Sequence, residues 1–217
     1  MSFGLSRSKT LDVGEIGLDM GALPFCDDGR VDPREWFENP GHPFEIEIGS
    51  GKGTFLLQQS LLQPETNFLG FEWAAEFYRY AADRLRRHGR DSVRVVYGDA
   101  TEFLQFWCMD NVAEVIHLYF SDPWPKKRHH KRRVVQDETL RAFHRVLKSD
   151  GELHIVTDHD ELWSWCETRM ENQNDLFKRA VFDRVDSAEE GELTGTNFER
   201  KYRREGRPFH AITLRKI

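Results

Sequence analysis

The sequence is poor in cysteine. Its three cysteines, Cys26, Cys108 and Cys166, are odd in number and far apart among the 217 residues. Such scattered cysteines indicate neither a disulfide framework nor a zinc cluster. The first residues also lack the apolar stretch of a secretory signal, so we expect a protein of the reducing cytoplasm. We expect no bound metal, because the adjacent pair His129 and His130 has no further ligands at zinc-like spacing.

Long hydrophobic runs are also missing. No stretch reaches the roughly 18 apolar residues that would cross a membrane. The hydrophobic fraction of 39% is low, yet together with the 16 glycines it comes close to the globular average. These values exclude a membrane-spanning protein and a chain that is disordered throughout. The length suits one α/β domain with a short extension.

Positive charge is in deficit over the whole chain, whose formal net charge is −6. Residues 126–133 are the exception, because the sequence Lys-Lys-Arg-His-His-Lys-Arg-Arg carries six positive charges in eight residues. The remaining residues therefore sum to −12. A basic stripe on an acidic body is typical of a focused nucleic-acid-binding surface. A merely solvated charged surface is the alternative.

From residue 44 onward, short apolar segments alternate with segments of helical periodicity. This alternation predicts an α/β fold with a mostly parallel sheet, helices on both faces and right-handed crossovers. Residues 1–43 show only weak periodicity, so we treat them as an N-terminal extension of a domain that comprises residues 44–217. The predicted strands are 44–48, 67–72, 93–97, 112–120 and 152–157, with two more candidates near 178–185 and 209–215.

Most of the polar residues that suggest chemistry follow these predicted strands directly. In a parallel sheet the carboxyl ends of the strands meet at one edge, and ligands bind there. We therefore expect one edge of the sheet to collect the glycine turn 49–53, Glu72, Asp99, Asp122 and Asp158.

The glycine turn 49–53 has three functional interpretations. A phosphate-binding Walker loop would need glycine in place of Ile46 and a hydroxyl residue in place of Gly53, so that interpretation fails. A dinucleotide fingerprint would need its third glycine at Thr54, so that one is weak. The third is a turn on which S-adenosylmethionine lies, since absent side chains let the backbone approach the ligand. A plain strand-to-helix turn is the structural alternative.

Two carboxylates at successive strand ends favour an adenosyl ligand. Glu72 can accept hydrogen bonds from both ribose hydroxyls, although a dehydrogenase would use the same arrangement. Asp99 is placed to accept from the adenine amino group. Each acid alone is typical of a solvated loop, and it is their combination that indicates a ligand site.

Residues 122–133 form the most specific motif in the chain. Their sequence, Asp-Pro-Trp-Pro-Lys-Lys-Arg-His-His-Lys-Arg-Arg, resembles the signature of the bacterial tRNA (guanine-N7)-methyltransferases, the TrmB family. The resemblance runs from about Glu45 to the C-terminus and includes residues 47–53 and 196–199. It implies a Rossmann-like class I S-adenosylmethionine-dependent methyltransferase fold. It also implies methyl transfer from S-adenosyl-L-methionine to N7 of a guanine in tRNA, guanine 46 of the variable loop.

The resemblance also implies a role for individual residues, and nothing is carried over beyond residue 199. The catalytic residue is expected to be Asp122. By resemblance, cofactor contacts are expected from Glu47, Glu72, Asp99 and Asp122. The glycine turn and the end of the third strand add Gly49, Gly51 and Ala100 to this expectation. Substrate contacts are expected from Lys126, Asp158, Thr196, Asn197, Phe198 and Glu199. RNA contacts are expected from Arg128, His129, His130, Lys131, Arg132 and Arg133.

The chemistry of guanine N7 agrees with these roles. N7 already carries an in-plane lone pair, so methyl transfer needs alignment rather than a base. Positive charge moves onto the purine, and a carboxylate such as Asp122 near the ring is favourable. Asp158 or Glu199 can accept from the guanine N1 and N2 donors, which adenine lacks. Trp124 offers a stacking face for a base taken out of its stack.

Several alternatives stay open. Asp122 before a proline can simply begin a turn, Trp124 can belong to the core, and Asp158 can cap a helix. A non-catalytic RNA-binding protein is one alternative function. A nicotinamide-dependent oxidoreductase is another, disfavoured by Thr54 and by the basic residues 126–133. The expected partner is tRNA, without a membrane or a metal, and the oligomeric state stays open between monomer and homodimer.

Overall fold

The structure is a computed structural model that describes residues 10–23 and 29–217. Its helices are α1 (Thr54–Leu62), α2 (Ala75–Arg87), α3 (Ala100–Glu102), α4 (Asp137–Val146), α5 (Asp160–Asn172) and α6 (Asn197–Arg204). Its strands are β1 (Gly17–Asp19), β2 (Phe44–Ile48), β3 (Asn67–Glu72), β4 (Val93–Tyr97), β5 (Ala113–Tyr119), β6 (Leu147–Thr157), β7 (Phe177–Ala180) and β8 (His210–Lys216). Shorter helical turns are Met20–Ala22, Pro33–Trp36, Phe103–Trp107 and Lys127–Arg132.

The eight strands form one sheet in the order β1-β4-β3-β2-β5-β6-β8-β7. The neighbours from β1 to β6 in that order pair in parallel. Strand β8 is antiparallel both to β6 and to β7. The prediction of an α/β fold with a mostly parallel, Rossmann-like sheet is therefore confirmed.

Apolar side chains cover both faces of this sheet. On one face Ile46 and Ile116, which lie side by side in β2 and β5, share a buried cluster with Phe143 of α4. On the other face Phe55 of α1 packs against the Tyr119 ring of β5, with ring centres 5.3 Å apart. Helices on both faces thus follow from strands that are apolar on both sides.

The structure differs from the sequence prediction at three strands. β1 lies in the segment that showed only weak periodicity, and it pairs with β4 at the edge of the sheet. β6 begins at Leu147, because residues 149–151, which suggested a turn, form an irregular part of the strand between the pairs Ala113–Leu147 and Val115–Glu152. β7 ends at Ala180, before the end of the candidate 178–185. The division into an extension and a domain stays a prediction.

The described cysteines are buried. Burial raises the pKa of the Cys108 and Cys166 thiols to about 12, and both thiols are free. Cys26 lies outside the described residues. Within residues 10–23 and 29–217, none of the helices is both long enough and apolar enough to cross a membrane.

Candidate active site

The glycine turn 49–53 joins β2 to α1. Gly49, Gly51 and Gly53 have φ values of 82°, 53° and 64°, in the left-handed region where glycine is favoured. The Gly49 N–H donates to the Phe71 carbonyl at 2.9 Å, which ties the turn to the end of β3. A Cβ added at Gly49 would meet no atom within 4 Å. The turn therefore needs glycine for its backbone, and at Gly49 that backbone is open to a ligand.

Glu72 is the last residue of β3, and its carboxylate is buried beside the turn. Its Oε2 accepts from the Gly51 N–H and its Oε1 from the Ala74 N–H, both at 2.8 Å. Burial raises the pKa of this carboxyl. Each carboxylate oxygen can accept a further hydrogen bond. Glu72 therefore fixes the turn and keeps the capacity to accept from two ribose hydroxyls.

Two buried polar groups at the turn lack partners. Glu47 Oε2 and the Ser50 hydroxyl have no hydrogen-bond partner among the described residues. Burial raises the pKa of Glu47 to about 8; the Ser50 hydroxyl nearby lowers it in part, and the charge of Glu72 raises it again. Glu47 and Ser50 are thus neighbours, but their geometry does not make a hydrogen bond between them. Buried groups without partners are costly and call for a missing partner. The ammonium group of S-adenosylmethionine would supply such donors, so these residues fit that cofactor.

Asp99 follows β4 and begins α3. Its Oδ1 accepts from the Thr101 N–H at 2.8 Å and from the Thr101 hydroxyl at 2.7 Å. A longer bond from the Glu102 N–H also goes to Oδ1, and the next residue, Ala100, is buried. Asp99 thus caps α3 with one carboxylate oxygen, Oδ1. The cap does not use the other oxygen, so the expected contact with adenine is compatible with it.

Asp122 lies in a strained loop after the central strand β5. Phe120 and Trp124, on either side of it, have φ values of 53° and 43°, which costs bulky side chains on the order of 1–3 kcal/mol each. Asp122 is exposed and makes no hydrogen bond or ion pair in the described part of the chain. The pKa values of Glu72 and Tyr202 are raised mainly by burial, and the negative charge of Asp122 raises both a little further. Asp122 therefore lies close to both residues, and strain of this kind concentrates at functional sites.

The basic loop, residues 126–133, follows Asp122 at the same edge of the sheet. Within the described ranges, none of its exposed cations has a carboxylate partner. The Arg132 guanidinium lies 4.9 Å from the centre of the Trp124 ring. The half-buried rings of His129 and His130 pack edge-on against Trp124 and Trp165, respectively. The exposed cations are Lys126, Lys127, Arg128, Lys131 and Arg132.

Arg133 differs from the rest of the basic loop because its side chain is buried. Its Nε donates to the Pro123 carbonyl and its Nη2 to Glu161, each at 2.8 Å. The guanidinium also lies 5.0 Å from the centre of the Trp165 ring. These contacts anchor the loop to α5 and leave Arg133 without an exposed donor surface.

Asp158 follows β6, and Arg207, which lies shortly after the end of α6 in the chain, covers its carboxylate. Asp158 Oδ2 accepts from Arg207 Nη1 at 2.6 Å, and its side chain is only 9% exposed. The second nitrogen of that guanidinium bonds Glu205 at 2.7 Å. Arg207 Cζ lies 4.2 Å from the centre of the Tyr202 ring. The N-cap of α5 is His159, whose ring nitrogen accepts from the Leu162 N–H, so capping is not the role of Asp158.

Residues 196–199 anchor the start of α6 near the glycine turn. Thr196 is the N-cap and accepts from the Glu199 N–H. Asn197 donates to the Thr54 hydroxyl at 2.8 Å, which joins α6 to α1. Phe198 is 47% exposed, and its ring lies 3.9 Å from the position of a Cβ at Gly51.

The Glu199 carboxylate is fully buried and saturated with donors. It accepts from Arg203 and from the N–H groups of Leu193, Thr194 and Gly195. Burial alone would raise the pKa of Glu199, but these hydrogen bonds hold it below its ordinary value. Glu199 therefore fixes the loop before α6 in the structure described.

Three residues of this site were not predicted from the sequence. Ser50 lies inside the glycine turn, where attention goes to the glycines. Tyr202 and Arg207 belong to an arginine-rich stretch whose placement depends on how α6 and β8 pack, and no local pattern gives that. Within the described residues, no group of three or more His, Cys, Asp and Glu side chains is arranged to hold a metal ion.

Known proteins similar to this chain include both sequence relatives and solved structures. A family described as putative methyltransferase matches residues 41–212. A tRNA (guanine-N(7)-)-methyltransferase of Enterococcus faecalis is 31% identical over 183 residues, 83% of this chain and 85% of the relative. One of Staphylococcus saprophyticus is 33% identical over 178 residues, 82% of each chain.

Among solved structures, the aminoglycoside resistance methyltransferase NpmB1 matches with a TM-score of 0.57 and 18% identity. The match covers 86% of this chain and 95% of that chain, and at this identity it shows the fold alone. The sequence relatives show the family as well as the fold, because their identity extends over most of both chains. The expected family is confirmed, and the chain belongs to the tRNA (guanine-N7-)-methyltransferase family.

Proposed function

We propose that this protein methylates N7 of a guanine in tRNA and that the target is guanine 46 of the variable loop. As a member of its family, the protein is an S-adenosylmethionine-dependent methyltransferase. The observation that carries methyl transfer to a base is the position of Asp122, whereas the choice of guanine 46 rests on the family resemblance. This free carboxylate lies near Glu72, at the turn that fits the cofactor, and directly before the basic loop.

The cofactor side of the site is proposed from the residues around the glycine turn. S-adenosylmethionine supplies an electrophilic methyl group on a sulfonium. Glu47 and Ser50 would hold its amino group, because they are buried and have no partner among the described residues. Glu72 would accept from the ribose hydroxyls, and Asp99 with Ala100 would contact the adenine. Gly49 and Gly51 would let the backbone approach the ligand.

The base side of the site is proposed from the two aspartates. Asp122 would stabilise the positive charge that develops on the purine as N7 is methylated. Asp158 would accept from guanine N1 and N2, and it is better placed for this than Glu199. The reason is that Glu199 already accepts several hydrogen bonds from the protein. Thr196, Asn197 and Phe198 would then act by placing α6 against the turn.

The RNA-binding surface is proposed to be the exposed part of the basic loop. Five exposed cations without carboxylate partners in the described chain lie beside Asp122. Phosphates bound there would hold the target nucleotide at the edge of the sheet where the cofactor fits. Lys126, nearest Asp122 in sequence, would contact the substrate nucleotide itself. Arg128, His129, His130, Lys131 and Arg132 would follow the backbone, with Arg133 buried beneath them.

The proposal is tested by incubating the protein with labelled S-adenosylmethionine and an unmodified tRNA transcript. We expect N7-methylguanosine at position 46, and no transfer to a transcript with adenine at that position. Label at another nucleotide would contradict the proposed target. Binding of tRNA without any transfer would support the non-catalytic alternative.

Asp122→Asn and Asp150→Asn form a matched pair of variants for the same assay. Both remove one exposed carboxylate, but Asp150 lies in the irregular part of β6, towards the opposite edge of the sheet. We expect turnover to fall by about a hundredfold in the Asp122 variant, as for loss of a transition-state contact. The Asp150 variant is expected to turn over like the wild type, and an equal fall in both would remove Asp122 from the site.

A further inference from the structure

The contact between Arg207 and Asp158 is unusual for a surface ion pair. The carboxylate is largely buried, at 9% exposure, whereas the guanidinium that reaches it is 42% exposed. The central carbon of that guanidinium lies 4.2 Å from the centre of the Tyr202 ring. The guanidinium thus lies between an acceptor, the Asp158 carboxylate, and an aromatic ring, and we call the space that it occupies there the recess.

Tyr202 places this recess beside the reacting end of the site. Burial is the main cause of the raised pKa of the Tyr202 phenol. The negative charges of Asp158, Glu205 and Asp122 raise that pKa further, and the positive charge of Arg207 lowers it. The Tyr202 ring also packs against Phe120, which precedes Asp122 by two residues, with ring centres 5.9 Å apart. The same ring neighbours Phe198, at 6.0 Å between ring centres, and Phe198 in turn lies beside the glycine turn.

The chemistry of Arg207 is that of the expected substrate. A guanine ring contains a guanidine unit, formed by N1, C2, N2 and N3, with N–H donors on N1 and N2. An arginine side chain presents the same planar unit with donors in the same plane. A carboxylate beside an aromatic face binds either one by the same combination of hydrogen bonds and stacking.

We infer that Arg207 occupies the recess of the target guanine in the RNA-free protein and leaves it when the base enters, with Tyr202 as the stacking face for both. This inference rests on the proposed function, because it takes Asp158 as the residue that reads guanine. It adds two specificity-determining residues and a competition between a side chain and the substrate base. The apparent affinity for guanine is then the intrinsic affinity multiplied by the fraction of molecules in which Arg207 has left the recess.

The fold does not depend on the Arg207 side chain. The backbone contact of this residue runs from its N–H to the Tyr202 carbonyl, and substitution of the side chain leaves it in place. The guanidinium covers Asp158 from the solvent side and is itself 42% exposed, so its removal lets water reach the carboxylate and does not leave a buried charge without a partner. The pair with Glu205 is exposed, and exposed pairs contribute little to stability. Arg207 is therefore a residue whose replacement reports on the recess.

The experiment measures binding of guanosine 5′-monophosphate and adenosine 5′-monophosphate to the full-length protein by titration calorimetry. We expect Arg207→Gln to bind the guanine nucleotide about fivefold more tightly than the wild type, with no such gain for the adenine nucleotide. Arg204→Gln is the matched control, since Arg204 is the last residue of α6, three residues before Arg207, and its Nε donates to a backbone carbonyl and not to Asp158. It is expected to bind both nucleotides like the wild type.

Two further measurements make the outcome decisive. Asp158→Asn added to Arg207→Gln is expected to abolish the gain. Methylguanidinium is expected to compete with guanosine 5′-monophosphate in Arg207→Gln and not in that double variant. If Arg207→Gln folds poorly by circular dichroism, Arg207→Lys replaces it, because lysine keeps the charge and loses the planar unit.

Unchanged or weaker guanine binding in a folded Arg207 variant overturns the inference, and so does an equal gain for both nucleotides. The proposed function fails separately, in the wild-type assay with labelled cofactor and tRNA. Methylation at guanine N7 together with no gain in the Arg207 variants would leave the function standing and remove the competition.

Discussion

The basic loop and the basic tail, residues 200–207, have similar densities of positive charge. They differ in how many of these charges are paired with carboxylates. The loop has six cations in eight residues and the tail has five. Five loop cations are exposed without a carboxylate partner in the described chain. In the tail, four of the five pair with carboxylates, namely Arg200, Lys201, Arg203 and Arg207. In the described chain the loop therefore presents five cations without carboxylate partners to an RNA backbone, and the tail presents one, Arg204.

The difference arises from where the acidic residues lie. No acidic residue occurs between Asp122 and Asp137, so the loop has no local partners. The first part of the tail lies in α6. A spacing of four residues there brings Arg203 against Glu199, and the same spacing brings Lys201 against Glu205 just after the helix. Charge density in a sequence is thus a poor measure of free charge unless the spacing of opposite charges is considered.

The largest expected effect concerns the buried carboxylate of the tail. Replacing Glu199 with glutamine leaves buried N–H donors facing an amide, and we expect the free energy of unfolding to fall by roughly 3–5 kcal/mol. Because its hydrogen bonds lower the pKa of Glu199, the loss is present above about pH 4.5 and shrinks as the pH falls below it. Urea unfolding at several pH values measures this.

Glu189→Gln is the matched control for that prediction. Glu189 belongs to the same charge network, but its side chain is 79% exposed and lies 3.4 Å from Arg200. We expect its replacement to change the stability by less than about 1 kcal/mol. Equal losses in the two variants would mean that burial does not distinguish the tail carboxylates.

The next effect concerns the loop and its free charges. Replacing Arg128, Lys131 and Arg132 with alanine is expected to lower the salt dependence of tRNA binding by roughly 2 log units per tenfold change in salt. Thermal unfolding is expected to be unchanged, since these side chains are exposed. Filter binding across a salt series measures the slope, and slopes parallel to the wild type would make the loop a solvated surface.

A smaller effect extends the comparison to a carboxyl that is neither paired nor exposed. Glu47 has a pKa of about 8, so it is mostly protonated at pH 7, and it must ionise to bind an ammonium group. We expect the affinity for S-adenosylmethionine to rise about threefold from pH 7 to pH 8, because ionisation of Glu47 outweighs the partial deprotonation of the ligand's own ammonium group, whose ordinary pKa is about 8. Titration calorimetry at both pH values checks this, and Glu47→Gln is expected to lose the rise.

The smallest effect is expected from the tail counterpart of the loop variant. Replacing Arg200, Lys201 and Arg204 with alanine also removes three positive charges. Two of these are already neutralised within the protein, so we expect the salt slope for tRNA to change by less than about 1 log unit. A change equal to that of the loop variant would break the distinction between the two regions.

Much of the fold could be predicted from the sequence, because alternating apolar segments from residue 44 specify parallel strands and crossover helices. β1 escaped prediction because three residues carry no periodicity, and β6 was predicted too short because Ser149, Asp150 and Gly151 are turn formers. The carboxylates at strand ends follow from the topology of a parallel sheet. Their roles as ligands of cofactor or substrate stay predictions.

The burial of individual charged residues could not be predicted. Arg133 continues a run of exposed cations in sequence, yet its side chain turns inward to Pro123 and Glu161. Glu199 lies in a stretch that the family resemblance connects with substrate, yet its carboxylate holds the preceding loop. Both positions depend on contacts between segments far apart in the chain, which residue patterns do not encode.

The position of β8 has a consequence for synthesis on the ribosome. This strand lies between β6 and β7 in the sheet, although it follows both of them and α6 in the chain. The segment with Tyr202 and Arg207 is therefore fixed at both ends only after β8 has emerged and paired. Because a domain generally folds as one unit, the sheet, and with it the end of the sheet where the candidate site lies, is complete only after β8 has left the ribosome.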